Sequence, residues 1–239
     1  MTDSLLARLS PPAVEKDLSG AVVDTFTTTA GPLGDVLVAS SAEGVTYLRP
    51  VGDVDGFRAE YRRRLGRPLV PGTTGPSIGA RTPVDLRACS SFERDVLDAT
   101  ASIPAGQTRP YGWVAREVGS PAAVRAVGTV LARNPVPLIV PCHRVTKSDG
   151  SLGRYMLGEE AKARLLADEG ADLEGLAAFT AAGTVLVGSD STGIACLPSC
   201  HHARRITDAH RVSFRSAAAA RDAGYRGCLV CRPVWPAAR

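Results

Sequence analysis

Six cysteines stand at positions 89, 142, 196, 200, 228 and 231, and their surroundings can do two kinds of chemistry. Cys142 is followed directly by His143 and Arg144, inside the stretch Asn134-Pro-Val-Pro-Leu-Ile-Val-Pro-Cys-His-Arg-Val145. A thiol attacks as the thiolate, and a neighbouring cation or general base raises the thiolate fraction at neutral pH. Adjacency alone is a weak sign, because neighbours in sequence need not face each other. A buried cysteine beside a satisfied histidine gives the same pattern. The other four cysteines form Cys196-x3-Cys200 and, after 27 intervening residues, Cys228-x2-Cys231. A tetrahedral zinc site asks for two such pairs, each closing a small loop around the ion. No basic start followed by an apolar run marks the chain for export, so metal is favoured over disulfides. His201, His202 and His210 lie nearby, but four thiolates already complete a site. Cys89 reads as a small core residue.

Several elements must position these groups. At 239 residues the chain is long enough for more than one compact unit. Its 44% hydrophobic and 22% charged content is that of a soluble globular protein. No apolar run reaches membrane-spanning length, so the expected setting is the cytoplasm, with no membrane partner. Residues 1–20 read as irregular. Strand-like segments follow at Val22–Thr28, Gly34–Ser40 and Val45–Val51, then a helix at Asp55–Leu65 and a linker at Pro71–Thr82. A helix capped by Ser90 or Ser91 runs to about Ser102, with Phe92, Val96 and Leu97 inward. Tyr111–Val118 and Pro121–Ala132 read as two helices around a tight turn, with Ser120 as N-cap and Pro121 as first residue of the second. The small residues of that helix, Ala122, Ala123, Ala126 and Gly128, suit close approach to protein core or to a DNA groove alike. The prolines at 135, 137 and 141 predict that 136–140 is a short buried extended segment. Gly158–Glu169 reads as a helix, the stretch after Gly170 as a small-residue linker, and Thr184–Gly188 as a strand.

Charge is uneven along the chain. Residues 108–147 carry six basic side chains and one acidic, and residues 191–239 carry eight arginines against two aspartates. The acidic stretch 148–190 separates these islands, which reads either as two phosphate-facing surfaces or as two solvated faces.

The stretch Asn134–Val145 resembles the acceptor segment of the O6-alkylguanine-DNA alkyltransferases, the methylated-DNA–protein-cysteine methyltransferases. The resemblance implies an α/β roll of RNase H-like fold, then a helix-turn-helix, winged-helix-like catalytic domain, with boundaries at residues 1–82 and 83–172. It implies a monomer acting on double-stranded DNA that carries alkylated bases. Cys142 would take the alkyl group once, from O6-alkylguanine or O4-alkylthymine, with no cofactor. Glu169 would hold His143, which acts through water on Cys142, and Asn134 would tie the helix to the cysteine segment. Tyr111 would help push out the nucleotide and donate a proton to the departing base. Arg125 would replace the flipped base, with Ala126 and Ser120 also against DNA, and Pro137, Val145 and Tyr155 would line the guanine pocket.

Thr192-Gly-Ile-Ala-Cys-Leu-Pro-Ser-Cys200 and the second pair resemble the zinc-binding domain of Ada-type proteins. This implies a small zinc-stapled α+β module over 173–239, with zinc on Cys196, Cys200, Cys228 and Cys231. Cys196 holds the position of the family's second methyl acceptor, which takes methyl groups from phosphotriesters. Ala195 and Leu197 flank it where the family has an aromatic and an arginine, so a zinc-stapled DNA-binding appendage is the competing reading. Two rivals to repair differ in class: a protein that binds alkylated DNA without repairing it, which would lack Cys142, and a methylation sensor acting through Cys196.

Overall fold

The computed structural model describes residues 23–236, so the irregular reading of residues 1–20 falls outside it. An antiparallel meander comes first: β1 (Asp24–Gly31), β2 (Gly34–Ser40) and β3 (Val45–Pro50). After α1 (Val54–Leu65), β4 (Leu69–Pro71) pairs parallel with β1, giving the order β3-β2-β1-β4. The two-residue period of a strand sends alternate side chains to opposite faces. On β2, Leu37 and Ala39 pack with Tyr47, Phe57 and Tyr61 under α1, whereas Val36 and Val38 face a second core. The sheet is therefore buried on both sides.

That second core is shared with α2 (Ser91–Ala101), α3 (Tyr111–Glu117) and α4 (Val124–Ala132). A capping box between Ser90 and Glu93 starts α2. The second helix begins at Val124, not Pro121, and Ser120 does not cap it. Instead the Ser120 carbonyl accepts from the Ala123 N–H at 2.8 Å, with Pro121 and Ala122 between. Proline's fixed φ suits the second position of such a turn, and the turn takes the residues a longer helix would need. Between α2 and α3, β5 (Arg109–Pro110) pairs parallel with β6 (Val145–Thr146). This two-residue ladder sets the start of α3 beside the chain that leaves Cys142.

After β6 come α5 (Glu159–Asp168) and α6 (Leu173–Ala181). The stretch after Gly170 reads as a linker, but the structure makes it helical at α6. Asp172 caps it by accepting from the Gly175 N–H at 2.8 Å, and alanine-rich sequence favours helix whether or not it is buried. The rest forms a second four-stranded sheet from β7 (Leu186–Ser189), β8 (Ile194–Cys196), β9 (Arg211–Phe214) and, after α7 (Ala217–Asp222), β10 (Arg226–Gly227). Its core joins Leu186, Val187, Phe214 and Ala220 to the four close-spaced cysteines. No helix among the described residues is long and apolar enough to cross a membrane.

Candidate functional site

Cys142 opens a short 3₁₀ turn, Cys142–Arg144, and is 5% exposed. The residues before it form a tight turn, not the extended segment expected. Val140 N–H donates to the Val136 carbonyl at 3.0 Å, and Leu138 adopts φ +73°. Asn134, fully buried, replaces a strand partner: its Oδ1 accepts from Val136 N–H at 3.0 Å and its Nδ2 donates to the Val140 carbonyl at 3.0 Å. Three prolines leave few other donors to satisfy. The same Nδ2 lies 3.2 Å from Cys142 Sγ. The first sheet fixes this segment from behind, with Leu48 N–H on the Pro135 carbonyl and Arg49 Nη1 on the carbonyls of Asn134 and Pro135.

Glu169, at the carboxyl end of α5, collects three side-chain donors from two residues besides one backbone amide. Its Oε1 lies 2.8 Å from His143 Nε2 and 2.8 Å from an Arg144 Nη, with Arg144 Nε within 3.1 Å of both oxygens. Gly106 N–H donates to Oε2 at 3.1 Å. Burial pushes this carboxyl up, but the bonds from His143, Arg144 and Gly106 outweigh it and hold the pKa at about 2. The other ring nitrogen, His143 Nδ1, is buried and makes no hydrogen bond to a protein group. Burial pushes the Cys142 thiol up, against the opposing pull of the Asn134 N–H and of Lys162. Burial thus favours the thiol over the thiolate at Cys142.

Lys162 is a further member of this site. It is fully buried, its Nζ donating to the carbonyls of Val145 and Leu152 at 2.5 and 2.6 Å. Burial lowers its pKa to about 8, although Cys142 favours its charge. One signal existed: positions 162, 165, 166 and 169 share one face of a helix, so this lysine occupies a place in the apolar stripe. Arg144 as a second partner of Glu169, and Gly106, had no such signal.

Tyr111, the first residue of α3, and Tyr155 both pack against the core that contains Cys142. Burial raises both hydroxyl pKa values. Tyr155 meets the His143 ring edge-on at 6.1 Å, and its hydroxyl is buried without a partner. Pro137 and Val145 are buried in the same neighbourhood, Val145 at 0% exposure. On α4, Arg125 and Ala126 are exposed, as is Ala122 before it, and a side chain at Gly128 would meet nothing within 4 Å. Ala122 and Ala126 therefore face outward, while Ala123 and Gly128 are half-buried. Ser120 is half-buried in the turn. The first basic island is only partly a surface: Arg109 is buried, Arg116 is held by backbone carbonyls and Glu117, and Arg144 by Glu169. Arg125, Arg133 and Lys147 remain exposed.

In the last unit, the sulfurs of Cys196, Cys200, Cys228 and Cys231 lie within 4.8 Å of one another, all buried. A tetrahedron with Zn–S bonds of about 2.3 Å has edges of about 3.8 Å, so the group fits a zinc ion. Cys200 is held toward thiolate by hydrogen bonds from neighbouring thiols and from the His202 and Ala203 N–H groups. None of the three nearby histidines belongs to the cluster, and His210 instead pairs with Asp190 at 2.8 Å. Cys196 and Cys228 also line a cavity of about 480 Å³ with His202, Arg205, His210 and Arg226.

Residues 91–171 match the family described as 6-O-methylguanine DNA methyltransferase, DNA binding domain, and residues 178–234 match the metal binding domain of Ada. The methylated-DNA–protein-cysteine methyltransferase of Methanosarcina acetivorans is 35% identical over 150 residues, covering 58% of this chain and 94% of that protein. That of Methanothermobacter thermautotrophicus is 48% identical over 93 residues, 38% of this chain, and the match spans about half (51%) of that relative. The crystal structure of Mycobacterium tuberculosis O6-methylguanine methyltransferase is similar with TM-score 0.51 at 30% identity, covering 61% of this chain and 92% of that one.

Proposed function

Because the chain belongs to the methylated-DNA–protein-cysteine methyltransferase family, we propose that it repairs DNA by moving an alkyl group from guanine O6 to Cys142, once per molecule. The observation that carries this is the acceptor site itself: Cys142 Sγ at 3.2 Å from Asn134 Nδ2, beside a His143–Glu169 pair at 2.8 Å. His143 takes the thiol proton by way of a water at Nδ1, and Glu169 stabilises the imidazolium that forms. The thiolate attacks the alkyl carbon, a C–S bond forms, the bond to O6 breaks, and the electron pair stays on guanine. Tyr111 supplies a proton to the leaving base. The thioether offers no leaving route, so the protein is consumed.

In the same reading, residues 23–82 form the RNase H-like roll and 83–172 the winged-helix-like catalytic domain of a cytoplasmic monomer. Duplex DNA lies along α4, with Ala126 and Ser120 against it and Arg125 in place of the flipped nucleotide. The outward small-residue face of α4 supports this. Tyr155, Pro137 and Val145 enclose the extruded base. O4-alkylthymine is a second substrate. A protein that only binds alkylated DNA has no use for a buried, hydrogen-bonded acceptor thiol. Zinc staples the carboxyl-terminal module. A second reading for that module, methyl transfer to Cys196 from phosphotriesters, is favoured by the cavity that Cys196 lines together with Arg205 and Arg226.

Intact mass and peptide mapping decide between these. Duplex DNA bearing O6-methylguanine should add one methyl to Cys142 and none to the Cys142→Ala protein. Folded protein that stays unmodified would sink the repair reading. DNA bearing methylphosphotriesters should modify Cys196 under the second reading, whereas zinc-loaded, unmodified Cys196 leaves the module a DNA-binding appendage.

A further inference from the structure

Arg109 is an arginine from the alkyltransferase part buried to 2% exposure. Its hydrogen-bond partners are neutral: Nη1 on the Thr108 carbonyl and Nη2 on Gln107 Oε1, both at 2.9 Å, while Nε is buried without a partner. A buried cation needs an anion, since leaving water without one is costly. Among the described residues no carboxylate pairs with it, and its neighbour Thr108 is bonded to Ser199, inside the first pair of the cysteine cluster. Burial lowers the Arg109 pKa, and Cys231, Cys200 and Cys228 act against that. A zinc ion with four thiolates carries about two net negative charges.

The same face is tied by other bonds. Trp113 Nε1 on α3 donates to the Cys231 carbonyl at 3.0 Å, and the guanidinium of Arg109 lies 5.6 Å from the Trp113 ring. Arg116 binds the carbonyls of Arg232 and Pro233, and Arg232 pairs with Glu117 at 2.6 Å. Ser199, between the two halves of the first cysteine pair, exchanges hydrogen bonds with the backbone of Thr108. Arg109 itself belongs to β5. Its register partner is Val145, three residues past Cys142, and two residues further on stands Tyr111.

We propose that Arg109 is the countercharge of the zinc–thiolate cluster, and that zinc thereby holds β5 and the start of α3 in place beside the acceptor segment. Arg109 is a positioning residue: buried, it hydrogen-bonds Thr108 and Gln107 and not Cys142. Zinc loss leaves a buried cation without its countercharge, and the contact that fixes β5 weakens. The proposal rests on zinc at the four cysteines and not on alkyl transfer at Cys142.

Its test uses the full-length, zinc-loaded chain and no DNA. Zinc release to excess chelator is followed by a colorimetric zinc indicator, and backbone hydrogen exchange is mapped over 109–117 and 145–146. Arg109→Met should release zinc at least about tenfold faster than wild type and exchange faster in both segments, with Arg109→Lys between the two. Wild-type release and protection in Arg109→Met would overturn the proposal. The wild-type chain gives a second, independent measurement: chelation should deprotect 109–117 and 145–146 along with the zinc module. Loss of protection confined to 186–235 would overturn it as well.

Discussion

At Glu169 the local charges set a pH dependence whose sign can be worked out. Its folded pKa of about 2 lies below the ordinary 4.5, so the ionised form is what the native state holds. The stability this gives is fully present above about pH 4.5 and is lost as pH falls towards 2, a swing of roughly 3 kcal/mol. Glu169→Gln should be less stable than wild type at pH 7 in urea melts, and the two curves should converge as pH drops through that window. A constant gap would mean the carboxylate charge is not what His143 and Arg144 require. Lys162 acts on the thiol. Its charge favours the Cys142 thiolate, so Lys162→Met should lower the thiolate fraction at pH 7, and the rate of reaction with a small thiol reagent with it. Because the lysine titrates near pH 8, the difference should shrink as pH rises past 8. A rate gap that persists at pH 9.5 would assign Lys162 to packing alone. The sequence carried a trace of this residue, a lysine in an apolar helical stripe. It carried none of Arg144's hold on Glu169, which depends on two segments meeting in space.

Elements show where reading a sequence succeeds and where a side chain overrides it. The β1–β3 meander, α1 and α2 follow local rules (alternation, turn glycines and a Ser90–Glu93 capping box), so their extents were legible within a few residues. The acceptor segment reads as extended from its prolines, but Asn134 takes the place of a strand partner, which no periodicity announces. The shortened start of α4 has a similar cause, a turn closed by Ser120's backbone and not its hydroxyl. The loop between α2 and β5 is fixed by Gly106, which sits at φ +69°. A Cβ there would fall 2.6 Å from the Glu169 carbonyl oxygen. Gly106→Ala should therefore cost about 2 kcal/mol or more and move the glutamate off His143, visible as a lower denaturation midpoint with a slower alkyl transfer. Wild-type rates in that variant would show that the loop does not position the carboxylate. On α4, Arg125→Ala should slow repair of duplex DNA and leave transfer from the free alkylated base unchanged. Equal loss on both substrates would place Arg125 in the chemistry and not in flipping.

At the scale of the molecule, the two cysteine pairs were legible as a metal site because their spacing is short and local. Its attachment to α3 was not, since that depends on Trp113 and Arg116 meeting backbone carbonyls more than a hundred residues away. The chain has two tryptophans, and both report on this junction. Trp113 is 3% exposed and bonded to Cys231, while Trp235 packs against the core of the zinc unit. A four-thiolate zinc site supplies folding free energy to a domain too small for a large core, so chelation should unfold residues 186–235. Tryptophan emission should then move to longer wavelength. In Trp235→Phe only Trp113 remains, and its emission should shift too, because the carbonyl that covers its indole N–H belongs to a zinc ligand. Re-adding zinc should reverse the change. An unshifted Trp113 after complete zinc removal would mean that the alkyltransferase core keeps this face closed by itself, and that the zinc unit is a passenger on it.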